Sequence, residues 1–227
     1  MSMLKRAATI LLASTALAAL TVPAIAQEFK GKSAGDILVR ARVVGAIPQE
    51  KADINMSNGV RIGEGHVGNG WTPEVDFTYF FTDNIAAELI AGTTRHTVDA
   101  SVPGLGDLDV GKVSLLPPTL TLQYHFLPKN RVSPYVGAGV NYTLFYNEDA
   151  AGGAILSTNY KNRFGWALQA GVDIEVADGW FVNMDVKKLF LKTKLDVTTA
   201  LGAPANQLRS DVTLNPWLIG VGIGYRF

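Results

Sequence analysis

Apolar and polar residues alternate with period two in long segments of this chain, and that pattern constrains the fold more than any other feature. Residues 163–176 show it most clearly. Phe164, Trp166, Leu168, Ala170, Val172, Ile174 and Val176 fall on one face, and Arg163, Gly165, Ala167, Gln169, Gly171, Asp173 and Glu175 on the other. Period two belongs to a strand, whose successive side chains point to opposite faces. The end of the chain repeats it, with Trp217, Ile219, Val221, Ile223, Tyr225 and Phe227 set against Leu218, Gly220, Gly222, Gly224 and Arg226. Eight such segments are read, at 36–47, 71–82, 85–98, 113–126, 134–146, 162–176, 180–194 and 212–227, with Gly, Asn, Asp and Pro between them.

A soluble β-sandwich also alternates, so length and spacing must decide. The segments run to ten residues or more. A typical strand has about 5–6 residues, and a tilted membrane-crossing strand about 9–11. The connections alternate between short, at 82–84, 128–133 and 177–179, and long, at 48–70, 99–112, 147–161 and 195–211. The expectation is an all-β fold: an eight-stranded antiparallel transmembrane β-barrel with short periplasmic turns and long extracellular loops. An even strand number puts both ends of the barrel on the periplasmic side. Tyr124, Phe126, Trp180, Tyr225 and Phe227 then belong to a lower aromatic girdle, and Trp71, Tyr142 and Trp217 to an upper one.

Composition sets the limits. Hydrophobic residues make up 48% of the chain, which does not mark a membrane protein, because alternating strands cancel in any average. Residues 1–26 read as a signal peptide: Lys5 and Arg6, an apolar stretch from Ala7 to Leu20, then Ala24-Ile25-Ala26 before the cut. The barrel domain is then 27–227, beginning at Gln27, in the bacterial outer membrane. Without Lys5 and Arg6 the 20 basic and 20 acidic residues become 18 against 20, a net charge of −2, so no nucleic-acid partner is expected. The absence of Cys excludes disulfides, thiol catalysis and Cys-based metal sites. With no free strand edge, a monomer is expected.

Alternation also sorts the lumen. Its lower part receives Arg40, Arg42, Asp76, Glu88, Gln123, His125, Gln169, Asp173, Glu175, Asn183, Asp185, Lys187 and Arg226, a set of both signs. Buried charges persist when paired, so this set reads as a polar plug. The upper part receives Leu115, Pro117, Phe145, Leu189, Leu191, Leu214, Pro216 and Leu218, which read as a site for an apolar ligand. Such a ligand would leave sideways, because Pro117, Pro118 and Pro216 lack the N–H that a strand ladder needs. An eight-stranded barrel is also narrow enough for its own side chains to fill. Lys188, Lys192 and Lys194 do not suit a lipid face, so segment 180–194 is expected to leave the membrane or bulge there.

Three motifs compete with this reading. Gly63-Glu64-Gly65-His66-Val67-Gly68 has the dinucleotide spacing but no flanking strand and helix, and reads as a flexible external loop. His66, His96 and His125 share no ligand spacing, so no metal and no cofactor is expected. His96 with Asp99 is the nearest approach to a catalytic pair and lacks a nucleophile, so no enzymatic activity is expected.

The segment 116–146, LPPTLTLQYHFLPKNRVSPYVGAGVNYTLFY, resembles the outer membrane protein W (OmpW) family. Gly171-Val172-Asp173, the run Asn183-Met184-Asp185-Val186-Lys187-Lys188 and the end Gly220-Val221-Gly222-Ile223-Gly224-Tyr225-Arg226-Phe227 extend the resemblance over the mature chain. It implies a narrow, largely apolar channel for uptake of small hydrophobic molecules across the outer membrane, with outer-membrane lipids as surroundings. The terminal Phe227 resembles the signal read by the outer-membrane assembly machinery. Two alternatives stay open: a narrow ion-conducting pore, and a structural or surface-interaction barrel with a packed lumen.

Overall fold

The computed structural model describes residues 30–49, 51–103 and 106–227. The signal peptide expected at 1–26 and the cut before Gln27 lie outside them. Fifteen strands run through the described residues. In chain order they are β1 (Ile37–Ile47), β2 (Lys51–Met56), β3 (Arg61–Val67), β4 (Gly70–Phe80), β5 (Ile85–Gly92), β6 (Thr94–Val102), β7 (Gly106–Leu116), β8 (Thr119–His125), β9 (Val132–Ala150), β10 (Ile155–Tyr160), β11 (Arg163–Ala177), β12 (Trp180–Phe190), β13 (Lys192–Thr199), β14 (Gln207–Thr213) and β15 (Trp217–Arg226).

They stack in two tiers. In the lower tier β1, β4, β5, β8, β9, β11, β12 and β15 pair antiparallel in that order, and β15 returns to β1 through a ladder from Leu38↔Arg226 to Ile47↔Trp217. This is a closed eight-stranded antiparallel barrel, which leaves no edge strand to satisfy in lipid. Its outer face is apolar. Val43, Val75, Phe77, Leu89, Leu120, Leu168, Met184, Val221 and Ile223 are all exposed. Rings bound this band at both ends: Tyr79, Tyr124, Phe126, Trp180, Tyr225 and Phe227 below, and Trp71, Tyr142, Phe164, Trp166 and Trp217 above. Such a band between two girdles marks the part that crosses the membrane.

The upper tier corrects the expected loops. Residues 48–70, 99–112, 147–161 and 195–211 are mostly strand: β2, β3, β10, β13, β14 and the upper parts of β6, β7 and β9 continue the wall beyond the membrane. The Gly63–Gly68 motif therefore lies largely in β3 rather than in a flexible loop. The physical reason is an inversion of polarity. Below, the lumen is charged and the outside apolar. Above, Ala52, Val98, Ala100, Val110, Leu195, Val197 and Val212 pack inside. The outside carries exposed ion pairs such as Arg61–Asp53, Arg95–Asp149 and Arg209–Asp196. Water outside and a dry interior need the opposite pattern from lipid outside and a polar interior. The segment expected at 180–194 divides after Phe190, and Lys192 and Lys194 of β13 point outward above the membrane.

Candidate functional site

β1 carries Arg40 and Arg42 into the lower lumen, where the two guanidinium groups organise the carboxylates. Arg40 meets Asp76 (2.8 Å), Glu88 (2.7 Å) and Asp173 (3.2 Å). Arg42 meets Glu74 (3.0 Å), Glu88 (2.6 Å) and Asp76, and lies 3.5 Å from Asp185. Lys187 ties Glu74 (2.7 Å) to Asp185 (3.1 Å). Gln169 donates to both Glu88 and Asp185 at 2.8 Å, and the Tyr135 hydroxyl donates to Asp185 at 2.7 Å. At the periplasmic end Arg226 holds Glu175 (3.5 Å) and Asp36 (3.7 Å). The structure thus places the ten charged and His residues assigned to the plug inside the lower barrel. All are buried. Crossed ion pairs of this kind leave a charge nowhere to go without a partner.

Glycine makes the crossing possible. On β15 a Cβ at Gly222 would lie 2.6 Å from Arg42 Cγ, and at Gly224 2.5 Å from Arg40 Cγ. The two arginines therefore lie flat over a wall without side chains.

Sequence reading missed Lys32. It precedes the first strand, where no alternation signals a lumen position. The segment 30–36 folds under the barrel, with Lys32 N–H to Pro128 carbonyl (2.8 Å) and Gly35 N–H to Phe80 carbonyl (2.8 Å). Lys32 Nζ then enters the lumen among Asp173 (2.7 Å), His125 Nδ1 (3.0 Å) and Ser133 Oγ (3.1 Å), close to the rings of Phe80 and Phe181. Glu74 and Tyr135 were also missed. Their inward phase could have found them, since Thr72, Glu74, Asp76 and Thr78 alternate on β4.

Above the ion pairs the lumen opens. The eight upper residues line one cavity of about 80 Å³. Leu115 comes from β7, Pro117 from the β7–β8 break, Phe145 from β9 and Leu189 from β12. Leu191, Leu214 and Pro216 come from the β12–β13 and β14–β15 breaks, and Leu218 from β15. Glu74 and Lys187 lie at its charged end. A second cavity of about 70 Å³, lined by Ile54, Ile62, Ala100 and Leu195 among others, shares Val67, Val98 and Tyr160 with the first. The two cavities are neighbours, with these three side chains on the walls of both. His96 turns Nδ1 to the Gly68 carbonyl (3.0 Å), while Asp99 lies opposite His66 in the β3–β6 ladder.

The wall beside the first cavity is interrupted. The β4–β5 ladder ends at Glu74↔Gly92 and the β3–β6 ladder at Val67↔Val98. Side chains span much of the gap, with the Thr72 hydroxyl donating to the Thr93 carbonyl and His96 meeting Gly68. Pro117 and Pro118 border the same region, between Ile90↔Thr119 and Thr94↔Leu115. Pro216 differs from expectation. Its carbonyl accepts from Leu189 (3.1 Å), and the Leu214 carbonyl accepts from Gln49 (2.9 Å), so the wall there stays stitched. Proline lacks only the donor and keeps its acceptor.

Comparison with known proteins agrees with this architecture. The OmpW family model matches residues 33–227. The uncharacterized outer-membrane protein y4mB of Sinorhizobium fredii is 43% identical over 214 residues, 93% of this chain and 90% of that protein. The dibenzothiophene metabolism operon protein DoxH of a Pseudomonas strain is 37% identical over 156 residues, 67% of this chain and 69% of that one. Among solved structures, outer membrane protein OprG of Pseudomonas aeruginosa superimposes with a TM-score of 0.81 at 32% identity, covering 87% of this chain and 98% of that one. A closed barrel with a lipid-facing band between two girdles, matched by the family model over nearly all the described residues, leaves one conclusion: the chain belongs to the OmpW family of the bacterial outer membrane.

Proposed function

We propose that this barrel takes up small hydrophobic molecules at its external face and releases them sideways into the membrane. The observation that carries the reading is an apolar cavity that ends on buried ion pairs beside a gap in the strand ladder. An apolar molecule gains by leaving water for the cavity, at about 25 cal/mol for each Å² buried. It cannot cross the charged network without separating paired, desolvated charges. The wall at Thr72 and Thr93 needs few bonds broken to part, and lipid lies beyond it. The DoxH relative supports this reading, since dibenzothiophene is an apolar aromatic molecule. The barrel is taken to act as a monomer, surrounded by outer-membrane lipid and assembled through the terminal strand ending in Phe227.

The test is uptake of a small apolar fluorophore by cells carrying the protein. The Leu189→Glu, Leu218→Glu double variant puts two carboxylates in the cavity and is expected to lower uptake about tenfold or more, because each must be desolvated for the ligand to pass. Leu189→Phe, which narrows the same cavity without charge, is expected to slow uptake as well. Heat-modifiable electrophoretic mobility shows whether each variant is folded. Unchanged uptake by folded variants would sink the reading and favour a packed barrel that works through its outer surface.

A further inference from the structure

The second cavity lies farther from the membrane than the first, toward the hairpin ends of the upper tier. Its walls are aliphatic, with Ile54 and Ile62 from the β2–β3 hairpin, Leu195 and Val197 from β13, and Leu208 and Val212 from β14. Charges on these strands, such as Asp53, Glu64, Lys194 and Asp211, are exposed on the outer face. A cavity with aliphatic walls stays dry and accepts apolar guests.

Three side chains stand on the walls of both cavities. Val67 and Val98 are partners in the β3–β6 ladder. Tyr160 ends β10. Round the upper tier the strands run β10, β13, β14, β2, β3, β6, β7 and β9, so β10 lies across the lumen from the two valines. Tyr160 is the least restrained of the three. Among the described residues β10 forms a ladder with β13 alone, and that ladder is irregular between Ile155 and Ser157. Between β10 and β9 there is no ladder. The seam is crossed by Tyr160 N–H to Glu148 Oε1 (3.2 Å), Phe145 N–H to Asn162 Oδ1 (2.9 Å) and one bridge at Gly152↔Ile155. The Tyr160 ring stacks on Phe145, with centroids 5.3 Å apart and planes at 13°. Its hydroxyl has no hydrogen-bond partner among the described residues, and burial pushes its pKa above the ordinary range. A hydroxyl drawn out of water without a partner is a cost, and turning the ring outward removes it.

We infer that the second cavity is a receiving site for small apolar molecules, and that the Tyr160 ring is the valve between it and the first cavity. This rests on the proposed uptake and adds a site and a specificity-determining residue to it. An apolar molecule leaves water for the second cavity. It passes inward when the ring leaves Phe145, and reaches the first cavity beside the gap at Thr72 and Thr93. The valve depends on the size of the ring and on its stack, so no polar group of the ligand is needed to open it.

The experiment follows uptake of N-phenyl-1-naphthylamine by cells carrying the full chain. Tyr160→Ala removes the ring and should speed uptake about threefold to tenfold, the factor that an aromatic stack is worth. Tyr160→Trp enlarges the ring and should slow it. Opposite signs at one position separate a valve from a residue that only supports the wall. Leu156→Ala, on the exposed face of the same strand, should leave the rate unchanged. Ala100→Phe fills the second cavity without reaching the first and should slow uptake several-fold, and adding Tyr160→Ala to it should not restore the rate. Leu208→Trp serves in its place if Ala100→Phe does not fold. Wild-type rates in both Tyr160 variants, or in a folded protein with the second cavity filled, overturn the inference. The proposed uptake then still stands if the Leu189→Glu, Leu218→Glu variant is slow. Absence of uptake by the wild-type protein overturns both.

Discussion

Replacing Arg40 with methionine is expected to lower the unfolding free energy of the barrel by about 3–5 kcal/mol, read as a shift of the urea midpoint in lipid vesicles. Arg40 is fully buried and holds Asp76, Glu88 and Asp173 at 2.7–3.2 Å, with Thr78 Oγ1 accepting a further bond at 2.7 Å. Methionine keeps much of the volume and removes the charge. The three carboxylates then face one another with Arg42 and Lys32 as the cations that still touch them, and with neutral donors such as Gln169 and Asn183 that carry no charge to offset theirs. The exposed Arg61–Asp53 pair is the contrast. Ions already in water gain little from pairing, so Arg61→Ala should leave the midpoint where it is. If Arg40→Met unfolds like the wild type, the lower lumen is solvated and the network is not a structural plug.

The second large effect is steric. Gly222→Val is expected to destabilise the barrel by about 3 kcal/mol, the upper end of the usual overpacking cost. A Cβ there would lie 2.1 Å from the Ala41 carbonyl oxygen and 2.6 Å from Arg42 Cγ. Neither can yield cheaply, since one is backbone of the neighbouring strand and the other is the stem of a side chain fixed by ion pairs. Gly202, whose surroundings are open, is the control, and Gly202→Ala should be close to neutral. A folded Gly222→Val protein with an unchanged midpoint would show that the arginine stems are free to move aside.

Both predictions rest on residues whose role was only half legible. Alternation set Arg40 and Arg42 inward, because phase along a strand is a local property. It also set Gly222 and Gly224 inward, but their purpose depends on side chains arriving from the strand across the seam. The family resemblance, carried by 116–146 and the last eight residues, pointed to a membership that the family model shows over 33–227.

The misreadings share one cause. Above the membrane the alternation has the opposite sense to a lipid-crossing strand, with apolar residues inside and charges outside, so it does not carry the signature of a barrel wall. Ala52, Val98, Leu195 and Val197 alternate as regularly as Val43 or Val221 do. Their setting, water outside instead of lipid, lies in no local window.

Sequence alone determined the strand-rich fold, the lumen phase of each crossing strand and the girdles, because each follows from the spacing of residue types along a few turns of pleat. Tertiary structure decided the rest: the inversion between tiers, the gap beside Thr72 and Thr93, and the place of Lys32. Those depend on partners far apart in the chain. Lys32 and Asp173 stand 141 positions apart, and only closing the barrel brings them within a hydrogen bond of each other.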